Sequence, residues 1–293
     1  MHVGYFPGCS LEGSAVEFDI SVRAMAQALG DELVELADWS CCGATAAHAL
    51  NQDLGLALPA RNLALARSQG FDQLLAPCAA CFNRLRVTAE TLAEDAAART
   101  RIEDIIEMPL AETPKVWNLI QYLQAHGLDA LREQVRRPLA GLRPACYYGC
   151  LLLRPAKLLG FDDPEQPASM EAILQALGAE PVEWPLRNEC CGGGFTMSKP
   201  EAVLRLAGAV LQDAHAHGAH ALVAACPMCH ANLDMRQRAI ERALGKRFRL
   251  PVYYLSEVVA WALGVPASSL ALKKHLVRTL EPDALVRRAA GRM

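Results

Sequence analysis

Five cysteines recur twice along the chain in the same order, and this constrains the fold more than any other feature. Cys9 is followed after 31 residues by the adjacent pair Cys41-Cys42, and after another 35 by Cys78-Ala79-Ala80-Cys81. The second set runs Cys150, 39 residues, Cys190-Cys191, 34 residues, then Cys226-Pro227-Met228-Cys229. Ten of the eleven cysteines belong to these sets. Five thiols at one site exceed what a tetrahedral zinc ion or a cubane iron–sulfur cluster uses. The chain therefore reads as built around two multi-thiolate metal centres.

The neighbours of the cysteines repeat as well, which implies a duplicated structural unit. Asp38-Trp39-Ser40-Cys41-Cys42-Gly43 answers to Glu183-Trp184 leading into Cys190-Cys191-Gly192. Leu74-Leu75-Ala76-Pro77 before Cys78 answers to Leu222-Val223-Ala224-Ala225 before Cys226, and an asparagine follows each pair, Asn83 and Asn232. Tyr5-Phe6-Pro7-Gly8-Cys9 pairs with Cys146-Tyr147-Tyr148-Gly149-Cys150. Cys146 then stands opposite Tyr5 and reads as a buried core thiol. The alignment of Gly149 with Gly8 makes Cys150 the ligand of that pair.

With 293 residues, 52% of them hydrophobic, the chain is long enough for two domains of ordinary size. A net charge of −3 without a dense basic face argues against nucleic acid or an anionic membrane as main partner. Arg132, Arg136, Arg137 and Arg143 read as a solvated patch. The opening Met1-His2-Val3-Gly4-Tyr5 lacks the pattern of a secretory signal. No apolar run approaches the roughly 20 residues of a membrane helix, so no membrane insertion is expected. An odd number of cysteines in an unexported chain points to reduced thiols and metal, with the cytoplasm as the natural compartment.

Strand and helix signals alternate. Met1–Phe6 is strand-like, Ala15–Leu29 is helical and ends at Gly30, and Leu33–Leu36 is a second strand. Pro59–Gln69 reads as a helix with proline in its first turn and Gly70 behind it, and Gln73–Ala76 as a buried strand. The second half offers strands at Ala145–Tyr148 and Ala221–Ala225, helices at Glu171–Leu177 and Ala202–His217, and a segment Val182–Trp184 leading toward Cys190. All cysteine groups fall in loops after strands, where an open α/β sheet places its ligands. The expected fold is α/β, with two pseudo-twofold repeats, each a small, mostly parallel sheet with flanking helices. The units are 1–138 with a linker helix, 139–267, and a polar tail 268–293 carrying Lys273, Lys274, Arg278, Arg287, Arg288 and Arg292. Arg132–Pro144 joins the halves.

Soft thiolates select zinc, copper(I) or iron–sulfur clusters. Structural zinc sites are local and four-coordinate, whereas each set here spans some 70 to 80 residues. Two adjacent cysteines can hardly both bind one tetrahedral metal without strain, but they can serve neighbouring irons of a cluster. Iron–sulfur is favoured, with zinc in an interaction subunit as the alternative. A thioredoxin-like exchange site is the other reading of a Cys-x-x-Cys pair, and is disfavoured because both pairs sit inside larger sets.

The two Cys-Cys-Gly repeats, with Tyr5-Phe6-Pro7-Gly8-Cys9-Ser10-Leu11, Asp38-Trp39-Ser40-Cys41-Cys42-Gly43-Ala44 and Tyr148-Gly149-Cys150, resemble the CCG domain of HdrB, the catalytic component of heterodisulfide reductases, over about residues 1–265. That resemblance implies one non-cubane 4Fe-4S cluster per repeat. The ligands would be Cys9, Cys41, Cys42, Cys78 and Cys81, and Cys150, Cys190, Cys191, Cys226 and Cys229. In such enzymes a disulfide is split between the two clusters, one sulfur going to each. Two one-electron centres suit a two-electron bond cleavage. The resemblance also implies an HdrC-like 4Fe-4S ferredoxin subunit and an HdrA-like flavoprotein as partners, with a disulfide, thiol or protein-bound sulfur as substrate. The alanine- and arginine-rich composition leans toward a bacterial sulfur-oxidising complex. Electron-transferring subunits of lactate or glycolate oxidising complexes share the repeat.

His48 and His230 lie near cysteine groups and are candidate proton donors to product thiolates. His215, His217 and His220 surround a helix end at Gly218 and read as solvated there. Gly192-Gly193-Gly194 suits close approach of backbone to a cluster better than a phosphate loop. Trp39 and Trp184 read as packing walls.

Overall fold

A computed structural model of the chain describes residues 1–44 and 47–290, apart from the side chains of 288–290. Arg292 and the side chain of Arg288 thus lie outside the described residues.

Two small parallel sheets form the frame. In the first, β2 (Glu32–Glu35), β1 (His2–Tyr5), β3 (Gln73–Leu75) and β4 (Lys115–Trp117) are neighbours in that order. Val3 lies opposite Leu33 on one side, and Tyr5 opposite Leu75 on the other. The second sheet runs β5 (Pro144–Tyr147), β6 (Ala221–Ala224), β7 (Val252–Tyr254), with Cys146 opposite Val223 and Ala224 opposite Tyr254. Parallel strands need crossover connections, and helices supply them. The first half contains α1 (Gly8–Glu12), α2 (Val16–Ala28), α3 (Ala47–Leu50), α4 (Gln52–Ser68), α5 (Ala79–Glu94), α6 (Ala96–Ile106) and α7 (Leu119–Ala125). After α8 (Leu128–Glu133) the second half has α9 (Ala156–Leu159), α10 (Ser169–Ala176), α11 (Pro200–Ala216), α12 (Pro227–Asp234), α13 (Gln237–Leu244), α14 (Leu255–Ala262) and α15 (Pro282–Ala290). The α/β class with two parallel-sheet repeats is as expected. The short strands β4 and β7 go beyond the expected elements, although Val252-Tyr253-Tyr254 after Pro251 carries a β-branched and aromatic signal.

Pro59 is not in a first turn. The helix begins earlier, where the Asn51 side chain accepts the Leu54 amide at 3.0 Å, and Pro59 lies in its interior. Proline has no N–H to give the carbonyl four residues back. That carbonyl, Gly55 O, instead accepts from Arg84 Nη2 of α5 at 2.9 Å. The prolyl interior is therefore repaired from outside the helix.

Val182–Trp184 forms no strand. Only isolated backbone bonds remain on that edge, Val182 N to Pro144 O at 2.9 Å and Glu180 N to Leu142 O at 2.8 Å. Pro181 and Pro185 lack the donors a longer ladder needs, and Pro185 opens a short 3-10 helix, Pro185–Asn188.

Of the linker arginines, Arg132, Arg136 and Arg143 are exposed, as expected of a solvated patch, whereas Arg137 is packed. Arg137 lies 4.5 Å over the Trp261 ring and bonds Val265 O at 3.1 Å, and the amides of Arg136 and Arg137 both reach Ala262 O. The linker thus caps the C-terminal end of α14, where cations are favoured. The tail, polar in composition, also packs: His275 is buried and Leu270 is fully so.

One contiguous core runs through both halves. Across their junction the Phe18 ring stacks on Tyr254, with centroids 4.2 Å apart and planes at 6°. Beside it Ser21 Oγ meets Ser256 Oγ at 2.7 Å. These contacts set α2 of the first half against α14 of the second. Phe18→Ala removes a fully buried ring from this seam and should cost about 3–5 kcal/mol of unfolding free energy, measured by urea denaturation against wild type.

Candidate metal centres

Each set of cysteines gathers at the carboxyl ends of its sheet. Cys9 enters the first turn of α1 directly after β1, Cys41 and Cys42 lie in the loop after β2, and Cys78 caps α5 with Cys81 in its first turn. Cys150 follows β5, and Cys190 and Cys191 sit between the 3-10 turns Pro185–Asn188 and Gly193–Phe195. Cys226 caps α12, with Cys229 one turn in. Helix N-termini favour the thiolate form of such cysteines.

The thiols converge within each set. Cys42 Sγ is 3.3 Å from Cys81 Sγ, and Cys191 Sγ is 3.5 Å from Cys229 Sγ. Cys9 meets Cys41, Cys78 meets Cys81, Cys150 meets Cys190 and Cys226 meets Cys229. The two sets come together in the interior, where Cys78 and Cys226 are close enough to shift each other's ionisation. Cys42, Cys78, Cys81, Cys191, Cys226 and Cys229 are buried, whereas Cys9 and Cys41 are exposed and Cys150 and Cys190 partly so. Each site thus has buried thiols, among them the Cys78 and Cys226 through which the sets approach, and thiols that are accessible.

Ionisation is distributed unevenly. A hydrogen bond from Cys81 lowers Cys42 to about 7, helped by the Ala44 amide and the Arg84 charge and opposed by burial. A hydrogen bond from Cys150, with the Gly192 and Gly193 amides, lowers Cys190 to about 6. Cys226 is held well below the ordinary thiol value by Cys229 and Cys78, while Cys81 and Cys229 are pushed well up. Thiols packed this closely cannot all ionise unless a cation joins them. The donor set, all soft sulfur at 3.3–3.5 Å in the closest pairs, fits a polynuclear iron–sulfur group.

The glycines next to the ligands have a steric reason. A Cβ on Gly8 would lie 2.8 Å from Cys81 Sγ, and one on Gly149 would lie 3.1 Å from Cys229 Sγ, both at positive φ. The Cys-Cys-Gly triplets have an electrostatic one: Gly43 N donates to Cys41 Sγ at 3.5 Å, and Gly192 N to Cys190 Sγ at 3.3 Å. Asn83 donates to Leu151 O at 2.9 Å and Arg154 O at 2.8 Å, clamping the Cys150 loop from the first half. In the second half Asn232, one helical turn past Cys229, donates to Cys191 O at 3.2 Å.

Arg84 belongs to no motif in the sequence, although it stands one helical turn past Cys81. Its guanidinium lies beside Cys42 while bonding Gly55 O, and its buried Nε has no partner in the structure. The matching position in the second half, three residues past Cys229, is the uncharged Asn232. A positive charge therefore attends the first set alone at this position.

His48 is exposed on α3. His230 is buried and stacked on Tyr254 at 4.1 Å, and burial drives it down to about 3, so it is neutral. Its Nε2 is engaged with Val252 O at 3.1 Å and His275 Nδ1 at 2.9 Å. His275 Nε2 in turn pairs with Glu257 Oε1 at 2.8 Å, and both residues are buried. Neither His275 nor Glu257 carries a sequence signal, because it is tertiary folding that brings the tail under β7. Cys146 is fully buried, its thiol raised by burial and by Glu171. Trp184 is buried and donates to Cys146 O at 3.1 Å, and Trp39 packs edge-on against Phe6 at 5.3 Å. Among the triple glycine, Gly193 approaches Cys191 Sγ: a Cβ there would lie 3.7 Å away.

Gly8→Ala should strip metal from the first site by forcing Cys81 aside, and Gly149→Ala should do the same at the second. Iron and acid-labile sulfide per chain should fall by about half in each single variant and to near zero in the double, while Gly30→Ala, which meets nothing within 4 Å, should keep wild-type metal content.

A model of the cysteine-rich CCG domain matches residues 3–86 and 145–234. A fumarate reductase component from Wolinella succinogenes, the "8-methylmenaquinol:fumarate reductase membrane anchor subunit", is 34% identical over 93% of this chain and 96% of its own length. The HdrB component of the ferredoxin:CoB-CoM heterodisulfide reductase of Methanosarcina mazei is 26% identical over 94% of both chains. An HdrB-like heterodisulfide reductase relative from Archaeoglobus profundus is 27% identical over 92% of both. A crystal structure of a hypothetical protein from Helicobacter pylori shares the fold, with a TM-score of 0.77 at 11% identity. It covers 95% of this chain, which spans 52% of that structure. The chain belongs to the CCG family of cysteine-rich proteins, of the HdrB type.

Proposed function

We propose that each five-cysteine set holds one non-cubane 4Fe-4S cluster, and that a disulfide is reduced, or a thiol or persulfide oxidised, between the two. The observation that carries this reading is the contact of Cys78 with Cys226, which makes the two sites immediate neighbours in the interior. Reductive cleavage of a disulfide needs two electrons and two protons and yields two thiols. When bound, a cluster supplies one electron at a time, so a facing pair matches the stoichiometry. The accessible flanks at Cys9 and Cys41, and at Cys150 and Cys190, are where substrate sulfur can approach. The Asn83 clamp holds one flank in register with the other half.

Proton supply is assigned to exposed His48. Neutral His230 serves as a wall that Tyr254 stacks on and that His275 and Glu257 fix in place. Electrons would come from or go to a ferredoxin subunit of the HdrC kind and a flavoprotein of the HdrA kind in the cytoplasm. The name of the Methanosarcina mazei relative pairs ferredoxin with a heterodisulfide reductase. No helix among the described residues is long and apolar enough to cross a membrane.

A second reading is favoured by the 34% identity to the quinol:fumarate reductase component: the two clusters would relay electrons in a respiratory reductase without meeting a sulfur substrate. That relative is named a membrane anchor. The lactate or glycolate oxidising assignment falls within this relay class.

Anaerobically purified protein should hold about eight irons and eight sulfides per chain and give a thiol-dependent paramagnetic signal after oxidation. Reducible clusters that ignore thiols would support the relay reading, and zinc without sulfide would sink both. Cys42→Ser and Cys191→Ser should each remove about four irons. Loss of disulfide turnover in both would match the paired mechanism, whereas survival of turnover in either would exclude it.

A further inference from the structure

The surface carries one strongly charged feature that the metal sites do not use. A cleft of about 960 Å³ between α13 and the segment after His275 is lined by Arg238, Arg242, Lys246, Arg247, Arg249 and Arg278. These six cations are exposed or half-buried, and among the described residues none forms an ion pair. Arg238 and Arg242, four apart, share one face of α13. The lining's one carboxylate is already engaged: Glu241 Oε1 accepts the amides of Phe248 at 2.7 Å and Arg249 at 2.9 Å. That grip holds Arg249 at φ 46°, a conformation L-residues avoid, and shapes the loop that presents Arg247 and Arg249. On a chain of net charge −3 such a concentration of positive charge is a local departure from the whole.

The duplication supplies an internal control. α6 packs on α4 as α13 packs on α11, so the two occupy equivalent places. Residues 95–107 around α6 nevertheless carry Arg99 and Arg101 against Asp95, Glu103, Asp104 and Glu107, with Arg101 paired to Asp53 at 3.0 Å. The positive cleft is a property of the second half alone, so neither the fold nor the metal site requires it.

Its floor is tied to the second metal site. Asp234 ends α12, five residues after Cys229 and about 7.5 Å along the helix axis. Its carboxylate accepts the amides of Leu276 at 2.7 Å and Val277 at 2.8 Å, two residues that line the cleft.

We infer that this cleft is the docking surface for an acidic electron-carrier protein, which exchanges electrons with the second centre. The inference rests on the iron–sulfur reading above. A concave, positively charged recess suits a protruding acidic segment better than a flat lipid surface does. No aromatic side chain lines it, so it lacks the stacking platform of a single-stranded nucleic acid site. Docking there makes the two centres inequivalent: the second receives electrons from the carrier and the first lies beyond it.

The test uses full-length, cluster-loaded protein and a small acidic two-iron ferredoxin as the probe, with affinity measured by calorimetry at several salt concentrations. Wild type should bind, and its affinity should fall steeply with salt. Arg238→Glu, Arg242→Glu and Arg278→Glu together should weaken binding at least tenfold and flatten the salt dependence. The milder Arg238→Gln, Arg242→Gln pair should show a smaller loss, guarding against misfolding in the triple variant. Reversing Arg99, Arg132 and Lys157 to Glu changes net charge equally outside the cleft and should leave affinity unchanged. Equal losses in the cleft and control variants would overturn the proposal. So would a lack of ferredoxin binding alongside cleft-dependent binding to phosphatidylglycerol–phosphatidylcholine vesicles, which would make the surface a membrane site. Iron and sulfide counts on the same samples judge the cluster reading separately, since an iron-free chain that still binds through the cleft would refute only that reading.

Discussion

Crowding of thiols is the constraint on which the rest of the structure depends. Sulfur atoms 3.3–3.5 Å apart, in a buried setting, cannot all be thiolates without a cation between them. Neighbouring thiols divide the load between them, with Cys42, Cys190 and Cys226 lowered and Cys81, Cys150 and Cys229 raised. The surrounding backbone is arranged to allow that density. Glycines stand where a Cβ would strike a sulfur, and the amides of Gly43 and Gly192 donate to the first cysteine of each adjacent pair.

The duplication places two such sites in one core, and the chain then makes them different. Arg84 brings a positive charge beside the first set where the uncharged Asn232 stands in the second. The tail reaches back under β7 to the second set only, placing His275 between His230 and Glu257. The basic cleft lies behind the same set. A symmetric frame with asymmetric surroundings suits a reaction in which electrons arrive from one side while substrate meets both centres.

Much of this is legible in the residues. The five-cysteine spacing, the Cys-Cys-Gly triplets and the strand-then-cysteine order locate both sites, because ligand loops at strand ends are local in sequence. Where local signals compete, the reading fails. Pro59 has the look of a helix start, since nothing local shows that Arg84 would satisfy the freed carbonyl of Gly55 from another helix. The expectation that every cysteine group follows a strand fails at Cys190-Cys191, because Pro181 and Pro185 on either side of Val182–Trp184 remove the donors a ladder needs.

The sequence by itself determined the α/β repeat, the two ligand sets and their soft-donor chemistry, because residue type and spacing carry that information. The tertiary structure alone decided that the two sets meet at Cys78 and Cys226, that the polar tail buries His275, and that Arg278 joins the cations of 238–249 in one cleft. Each of these joins residues far apart in the chain, and such contacts are fixed by packing of the shared core, to which no short stretch of sequence testifies.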